Sequence, residues 1–313
     1  MTPLKLKRVH SLKGWDISFK MQGIETHSRL GTFTLSFDFE LGWGCTERGL
    51  WVEREKAGVY DEMRVVLPKF LAALDEMEFP ATWAVVGAMI HDPVKRDFTH
   101  LPDRAKHIVD HFNSSSNRTS NDGRDLMDLL LNTRIQHRIA CHSYSHVRFN
   151  FDEFTEVNIK GEIEKFTEAT DVYGLNVESL VCPQNIVRFE KDYFRYGYKN
   201  VRTAPMHGDK PDSKIRRIFC LPPFSTRNEV DGICRESGSV LYNPGVKRRQ
   251  MLPLLHFRTK RAIQSSMRLG KDVHVWLHPF NLVDTPGVLQ SLLSVLEYVA
   301  RSRDEGKIAT RLF

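Results

Sequence analysis

The sequence predicts an α/β fold built on a parallel sheet, in a single domain. Three observations carry that reading. Short β-forming runs alternate with segments of helical spacing along most of the chain. One of those runs, Ala81-Thr-Trp-Ala-Val-Val-Gly87, is apolar throughout except for Thr82, as expected of a strand covered on both faces. No internal repeat and no linker divides the chain.

Residues 1–30 are polar and basic with weak periodicity, and read as an arm or edge hairpin outside a domain of residues 31–313. Residues 32–38 alternate and are rich in β-formers, a strand. Residues 60–78 place Met63, Val66, Leu67, Phe70, Leu71, Leu74 and Met77 at helical spacing, and Phe79-Pro80 ends that helix. Residues 81–87 are the buried strand. The polar stretch 112–123 reads as a loop. A short helix follows over 126–131, a strand over 138–142, a helix over 153–170 and a strand over 179–182 stopped by Pro183. Residues 188–197 read as helix, and 205–250 as irregular chain rich in Pro and Gly. A basic helix spans 258–269, a strand over 273–278 ends at Pro279, and an amphipathic helix over 286–303 is the last element.

Lys and Arg total 45 against 39 Asp and Glu, a net charge of +6, with 41% apolar and 27% charged residues. These values exclude a disordered, collagenous or coiled-coil chain. No apolar run approaches the ~20 residues of a membrane span. The basic N-terminus lacks the apolar stretch of a secretory signal. Cys45, Cys141, Cys182, Cys220 and Cys234 include no CxxC pair, so reduced thiols and a cytoplasmic location are expected. The modest positive charge suits an anionic substrate or an acidic membrane face. No RNP-like run or recognition-helix pattern points to nucleic acid.

Chemistry-bearing residues gather at the strand ends, where barrel enzymes place them. In Ser36-Phe-Asp38-Phe-Glu40, Asp38 and Glu40 share a face because they are two apart. Such carboxylates repel unless a cation or proton lies between them. A metal ligand beside a general base satisfies that, and so does an acidic strand end facing solvent. In His142-Ser-Tyr-Ser-His146 two histidines four apart can share one metal. Ser143 after the first histidine excludes the helical metalloprotease motif. In Val181-Cys-Pro183-Gln-Asn185 the proline forces a turn that can aim backbone N–H groups at a pocket. In His274-Val-Trp276-Leu-His278-Pro-Phe-Asn281 alternation puts His274, Trp276 and His278 on one face, with His278 at the strand end. Taken together, two imidazoles and a carboxylate for a metal, a spare carboxylate and a spare imidazole serve metal-assisted hydrolysis.

These segments resemble the polysaccharide deacetylase family, the NodB-type carbohydrate esterases of carbohydrate esterase family 4. Leu35-Ser-Phe-Asp-Phe-Glu40, Pro80-Ala-Thr-Trp-Ala-Val-Val-Gly87, His142-Ser-Tyr-Ser-His146, Leu180-Val-Cys-Pro-Gln-Asn185 and Val275-Trp-Leu-His-Pro279 match its motifs in order, over residues 32 to about 303. The resemblance implies a distorted (β/α) barrel and removal of acetyl or formyl groups from amino sugars. It implies that Glu40, His142 and His146 bind a divalent metal, zinc in most members, with Asp38 as general base and His278 as general acid. Pro183, Gln184, Asn185, Trp276 and Asn281 would shape the substrate pocket, and the turn at 183–185 would offer an oxyanion-stabilising N–H. Glu40 stands where many members carry Asp. The family's third motif usually carries an Arg that braces the base; Val181 and Gln184 stand there instead, which leaves Arg188 and Arg202 as substitutes. Asp209 and Asp212 are candidates for the acidic partner of the final histidine.

The substrate expected from the resemblance is a cytoplasmic nucleotide- or polyprenyl-phosphate-linked amino sugar of surface-polysaccharide synthesis. Lys247-Arg-Arg249 and Arg258-Thr-Lys-Arg261 suit a phosphate or an anionic membrane surface in peripheral contact, and equally a solvated basic face. Two alternatives stay open on the residues: a catalytically inactive carbohydrate-binding relative, and a hydrolase of another amide, such as a ring ureide.

Overall fold

The computed structural model describes residues 29–150, 153–204, 206–207, 210–211 and 224–313. The arm expected over residues 1–30 lies outside the described residues except for Arg29 and Leu30, and Asp209 and Asp212 lie outside them too.

The strands are β1 (Thr32–Phe39), β2 (Thr82–Val85), β3 (Arg138–Cys141), β4 (Ser179–Val181), β5 (Asn200–Thr203), β6 (Met206–His207), β7 (Lys210–Pro211), β8 (Arg227–Val230), β9 (Ile233–Ser237), β10 (Val240–Leu241), β11 (Asp272–Leu277) and β12 (Ala309–Arg311). All but β6 and β7 form one sheet, in the order β10-β11-β1-β2-β3-β4-β5-β9-β8 with β12 beside β1. Its pairs are parallel except for β8 with β9. β1 has room for two neighbours on one flank because they take different halves. β12 pairs with Thr32–Thr34 and β2 with Ser36–Phe39.

The sheet is curled into a half-barrel, and its two ends meet through one short connection. Between β9 and β10, the Gly238 N–H donates to Thr203 O of β5 and the Ser239 N–H donates to His274 O of β11. The Ser225 N–H adds a bond to Asp272 O at 2.7 Å. A Cβ on Gly238 would press on the Trp276 ring, so the glycine permits this close approach.

The described helices are α1 (Leu50–Lys56), α2 (Val59–Glu76), α3 (Gly87–Ile90), α4 (Asp103–Ser115), α5 (Arg118–Asn121), α6 (Arg124–Leu131), α7 (Glu156–Asp171), α8 (Glu190–Arg195), α9 (Leu252–Leu269), α10 (Asn281–Asp284) and α11 (Val288–Asp304). The alternation read in β1 holds. Phe33, Leu35, Phe37 and Phe39 form part of the apolar core, while Thr34, Ser36 and Asp38 are buried on the opposite face. Phe37 stacks on Trp83 at 4.2 Å and meets Phe70 of α2 edge-on at 5.5 Å.

Four expectations need correction. Residues 112–123 are not a loop. α4 runs to Ser115 because Ala105, Val109 and Phe112 form a buried stripe, and α5 follows. The polar residues there satisfy one another: Glu55 Oε1 accepts from the Asn117 N–H at 2.6 Å and from the Ser120 hydroxyl. The basic helix begins at Leu252 rather than 258, with Pro253 in its first turn, where a missing N–H costs nothing. The stretch read as irregular contains β6 to β10, and the helix read as the last element is followed by β12, which pairs with the first half of β1.

Truncating Phe37 to Ala removes a fully buried ring from both contacts. The expected loss is about 3–5 kcal/mol, read as a lowered urea-unfolding midpoint.

Candidate metal centre and catalytic site

His142 follows β3, and its N–H continues the ladder to Val85 O at 2.9 Å. Its Nδ1 lies 2.6 Å from Val181 O. A carbonyl only accepts, so Nδ1 carries the proton and Nε2 turns its lone pair toward the sheet's C-terminal edge. There Nε2 lies 3.2 Å from His146 Nε2 and 3.3 Å from Glu40 Oε2, and His146 Nε2 is 2.9 Å from the same oxygen. All three residues are buried, and donor atoms of all three lie within 4.8 Å of one another. Donors bound 2.0–2.1 Å from one tetrahedral ion sit about 3.3 Å apart. Two imidazole nitrogens and a carboxylate at these spacings fit a divalent cation.

The turn between the histidines is strained, with Ser143 and His146 both at φ +60°. It is pinned from three sides. Ser143 O and Tyr144 O accept the N–H groups of Gly87 and Ala88 at 2.9 and 2.8 Å. Ser143 Oγ accepts the His146 N–H at 3.0 Å. Glu162 Oε2, from α7, accepts the N–H groups of Tyr144 and Ser145 at 2.8 and 3.1 Å. The other Glu162 oxygen is 2.9 Å from His100 Nε2. Burial pushes the Glu162 carboxyl up, and the His100 and Ser145 contacts outweigh it, leaving it below its usual range.

Glu40 leaves the end of β1 just before Leu41, which adopts φ +44°. Its carboxylate lies directly over Gly44, where any Cβ would run into it. Burial pushes Glu40 up; the His278 and His146 charges outweigh it and hold it well below the usual carboxylate range.

Asp38 is gripped by Arg202 of β5, with Nη1 and Nη2 each 2.6 Å from a carboxylate oxygen. Arg202 is fully buried. Its Nε donates to Asn185 Oδ1 at 2.9 Å, and its guanidinium carbon sits 4.5 Å from the Trp276 ring centre. Burial pushes Asp38 up; Arg202, followed by His142, outweighs it and lowers it. The polar column continues inward. Ser36 Oγ is 3.2 Å from Arg202 Nη1 and 2.7 Å from His274 Nε2. His274 Nδ1 is 2.9 Å from Glu236 Oε1, and Glu236 Oε2 is 2.7 Å from Arg311 Nη2. Burial lowers the His274 pKa, so its imidazole is neutral. The column then holds two guanidiniums and two carboxylates, in balance.

His278 stands at the rim, its side chain 23% exposed, with Nε2 3.4 Å from Glu40 Oε1. Asn281 Oδ1 accepts its backbone N–H at 3.2 Å and lies 3.3 Å from Nδ1. The ring stacks on Phe280 at 4.9 Å, and the Arg54 guanidinium lies 3.9 Å from the Phe280 centroid.

The expected residues are thus distributed unevenly. Glu40, His142 and His146 converge, with Asp38 and His278 beside them. Asn185, Trp276 and Asn281 touch the machinery through Arg202 and His278. Pro183 is buried in a 3-10 turn, and Gln184 is exposed at φ +56°. Of the two candidate braces, Arg202 holds Asp38, while Arg188 Nη1 donates to Phe149 O at 3.1 Å. Among the described residues, the partner of His278 Nδ1 is Asn281, whose amide reaches Asp284 at 3.3 Å. Gly44, Glu162 and Glu236 support the cluster and the polar column, and sequence reasoning missed them. For Glu162 a signal exists: it lies on the apolar stripe of Ile159, Ile163 and Phe166.

Fold and site together define a NodB-type (β/α) half-barrel with a metal-competent cluster at its mouth. A Mycobacterium smegmatis protein assigned to the polysaccharide deacetylases is similar in structure. Its TM-score is 0.57 at 14% identity, covering 93% of this chain and 96% of that one. The 4-alpha-glucanotransferase of Thermococcus litoralis matches at TM-score 0.54 and 14% identity, over 91% of this chain and 40% of its own. No protein-family model and no curated protein matches the chain.

Two substitutions test the supports. Gly44→Ala displaces the Glu40 carboxylate, and zinc affinity, read by competition with a chromophoric chelator, falls about 10–100-fold. Glu162→Gln lowers stability by about 2–3 kcal/mol at pH 7. A carboxyl lowered on folding stabilises above its unfolded pKa and loses that contribution as pH falls through its folded value. The difference from wild type in urea melts therefore shrinks below about pH 4.

Proposed function

We propose that the chain is a metal-dependent hydrolase of the NodB-type carbohydrate esterases that removes an N-acyl group, acetyl or formyl, from an amino sugar. The observation that carries this reading is the convergence of Glu40, His142 and His146 with an Arg-braced Asp38 and a rim imidazole. A divalent metal held by the three, zinc by its donor set, supplies Lewis-acid polarisation of the acyl oxygen and a water acidified toward a pKa of roughly 7–9.

The chain's own groups do the rest. Asp38 is ionised, and Arg202 leaves it lone pairs with which to take the proton of the attacking water. Arg202 fixes where that proton goes. His278, oriented by Asn281 at Nδ1, turns Nε2 toward the site and is the group placed to deliver a proton to the departing sugar nitrogen. An amine leaves poorly without it. In the turn at 183–185, the N–H groups of Asn185 and Ile186 are taken by Cys182 O and Pro183 O, and Pro183 has none. The resemblance implies that this turn supplies an oxyanion-stabilising N–H, and that of Gln184 is the one the turn's own bonds leave for it.

The fold alone also houses a glucanotransferase. Glycoside chemistry by a carboxyl pair needs one carboxylic acid kept protonated. Here Asp38 is clasped by the Arg202 guanidinium and Glu40 lies among imidazoles, surroundings that suit two carboxylates and support acyl transfer to water. The brace that Arg202 provides for Asp38 supports an active hydrolase over an inactive relative. A cytoplasmic phosphate-linked amino sugar is the substrate we favour. The unpaired state of Cys45, Cys141, Cys182 and Cys234 and the basic residues at 247–249 support it.

The test is acetate or formate release from N-acetylated chitooligosaccharides and from a UDP-linked N-acetylamino sugar. Wild type with zinc should release acyl groups, stop with chelator and recover with zinc. His142→Ala should lose both metal and activity. Asp38→Asn and His278→Ala should keep the metal while turnover drops about 10²–10⁴-fold. Zinc-loaded protein that releases no acyl group, or His142→Ala with full metal and activity, defeats the reading.

A further inference from the structure

The segment from Ser237 to Lys271 contains no Asp or Glu, yet it carries Lys247, Arg248, Arg249, Arg258, Lys260, Arg261, Arg268 and Lys271. Beside these cations sits an exposed apolar tip: Val246 is 54% exposed, Met251 39%, Leu254 40% and Phe257 59%. Leu254, Phe257, Arg261 and Arg268 follow one another at helical spacing along the outer side of α9, so the tip lies at its N-terminal end and cations continue the stripe. The Arg261 guanidinium stands 6.0 Å from the Phe257 ring centre. Among the described residues, Lys247, Arg248, Arg249, Arg261 and Arg268 lie within ion-pair distance of no carboxylate.

We infer that this face docks on an anionic lipid bilayer. A bilayer offers both things the face asks for: headgroup phosphates for the cations, and an acyl boundary for the four apolar side chains. A nucleic acid would meet the cations but leave Val246, Met251 and Leu254 in water. A second copy of the chain would bring cations against cations. Among the described residues no helix is long and apolar enough to cross a membrane, so the contact is peripheral.

The position of the face gives it a consequence. β10 runs parallel to β11, so the chain leaving it emerges at the same edge as His278. The Tyr242 N–H bonds Trp276 O at 2.8 Å, and Thr285, one residue past α10, is 3.4 Å from Asn243. Docking through residues 246–257 therefore sets the mouth of the metal centre beside the lipid surface, where an amino sugar carried on a lipid phosphate would be presented.

Sedimentation with vesicles tests this without any catalytic readout, so it fails or succeeds apart from the assigned reaction. At 0.15 M salt the whole chain should partition onto phosphatidylcholine vesicles containing about one-third phosphatidylglycerol, and not onto phosphatidylcholine alone; raising the salt to about 0.5 M should release it. Lys247→Gln with Arg249→Gln should weaken partitioning about thirtyfold, about fivefold per cation. Leu254→Ser with Phe257→Ser should weaken it at least about tenfold. Circular dichroism checks that each variant is folded, and either one alone suffices to decide. Equal binding to both vesicle types, or folded variants that bind like wild type, overturns the inference. So does binding to heparin or single-stranded DNA without vesicle partitioning, or a dimer abolished by the apolar variant without vesicle partitioning.

Discussion

The ion pair between Asp38 and Arg202 is the constraint around which the rest of the barrel is arranged. Both groups are buried, and an unpaired charge there would cost several kcal/mol. Pairing alone is not enough, because a guanidinium has five N–H donors. Asn185 and Ser36 take further donors, and the Trp276 ring covers the guanidinium. Ser36 then needs His274, and His274 faces Glu236, which needs Arg311. Each step calls up a residue from a different strand. β1, β5, β9, β11 and β12 are thereby fixed in one register, and a neutral imidazole at the centre keeps the column balanced.

The same constraint explains what could be read from the sequence. Asp38 and Glu40 were legible because period-two alternation is local, and so were His142 and His146, four residues apart. The strands and long helices were legible for the same reason. Arg202 was visible only as one of two candidates, because its partner lies on another strand and nothing local marks a guanidinium as buried. Glu236 and Arg311 fail in the same way. The helices over 103–121 were obscured because Ser, Asn and Thr bond to one another and to Glu55, a pattern that composition cannot separate from a solvated loop. Glu162 looked like one more charge in a charged helix. Only its place on the buried stripe betrays that it serves the strained turn between the histidines.

Glu40 shows how a long carboxylate is accommodated at the end of β1. A carboxylate one methylene longer than Asp reaches farther from the strand, and something must make room for it. Gly44 does so by having no Cβ beneath the carboxylate, and Leu41 takes a left-handed backbone just beyond it. The longer side chain reaches both histidine Nε2 atoms with Oε2 and comes to 3.4 Å from His278 with Oε1. One carboxylate thus links the cluster to the rim imidazole. An Asp at the same backbone position would be too short to span both, unless the chain moved inward. The Glu at 40 and the Gly at 44 are then a matched pair. Glu40→Asp alone would leave a gap over the glycine, and Gly44→Ala alone would force the carboxylate away. The Glu40→Asp/Gly44→Ala double variant should recover part of what each single change loses, the non-additivity expected of residues in direct contact.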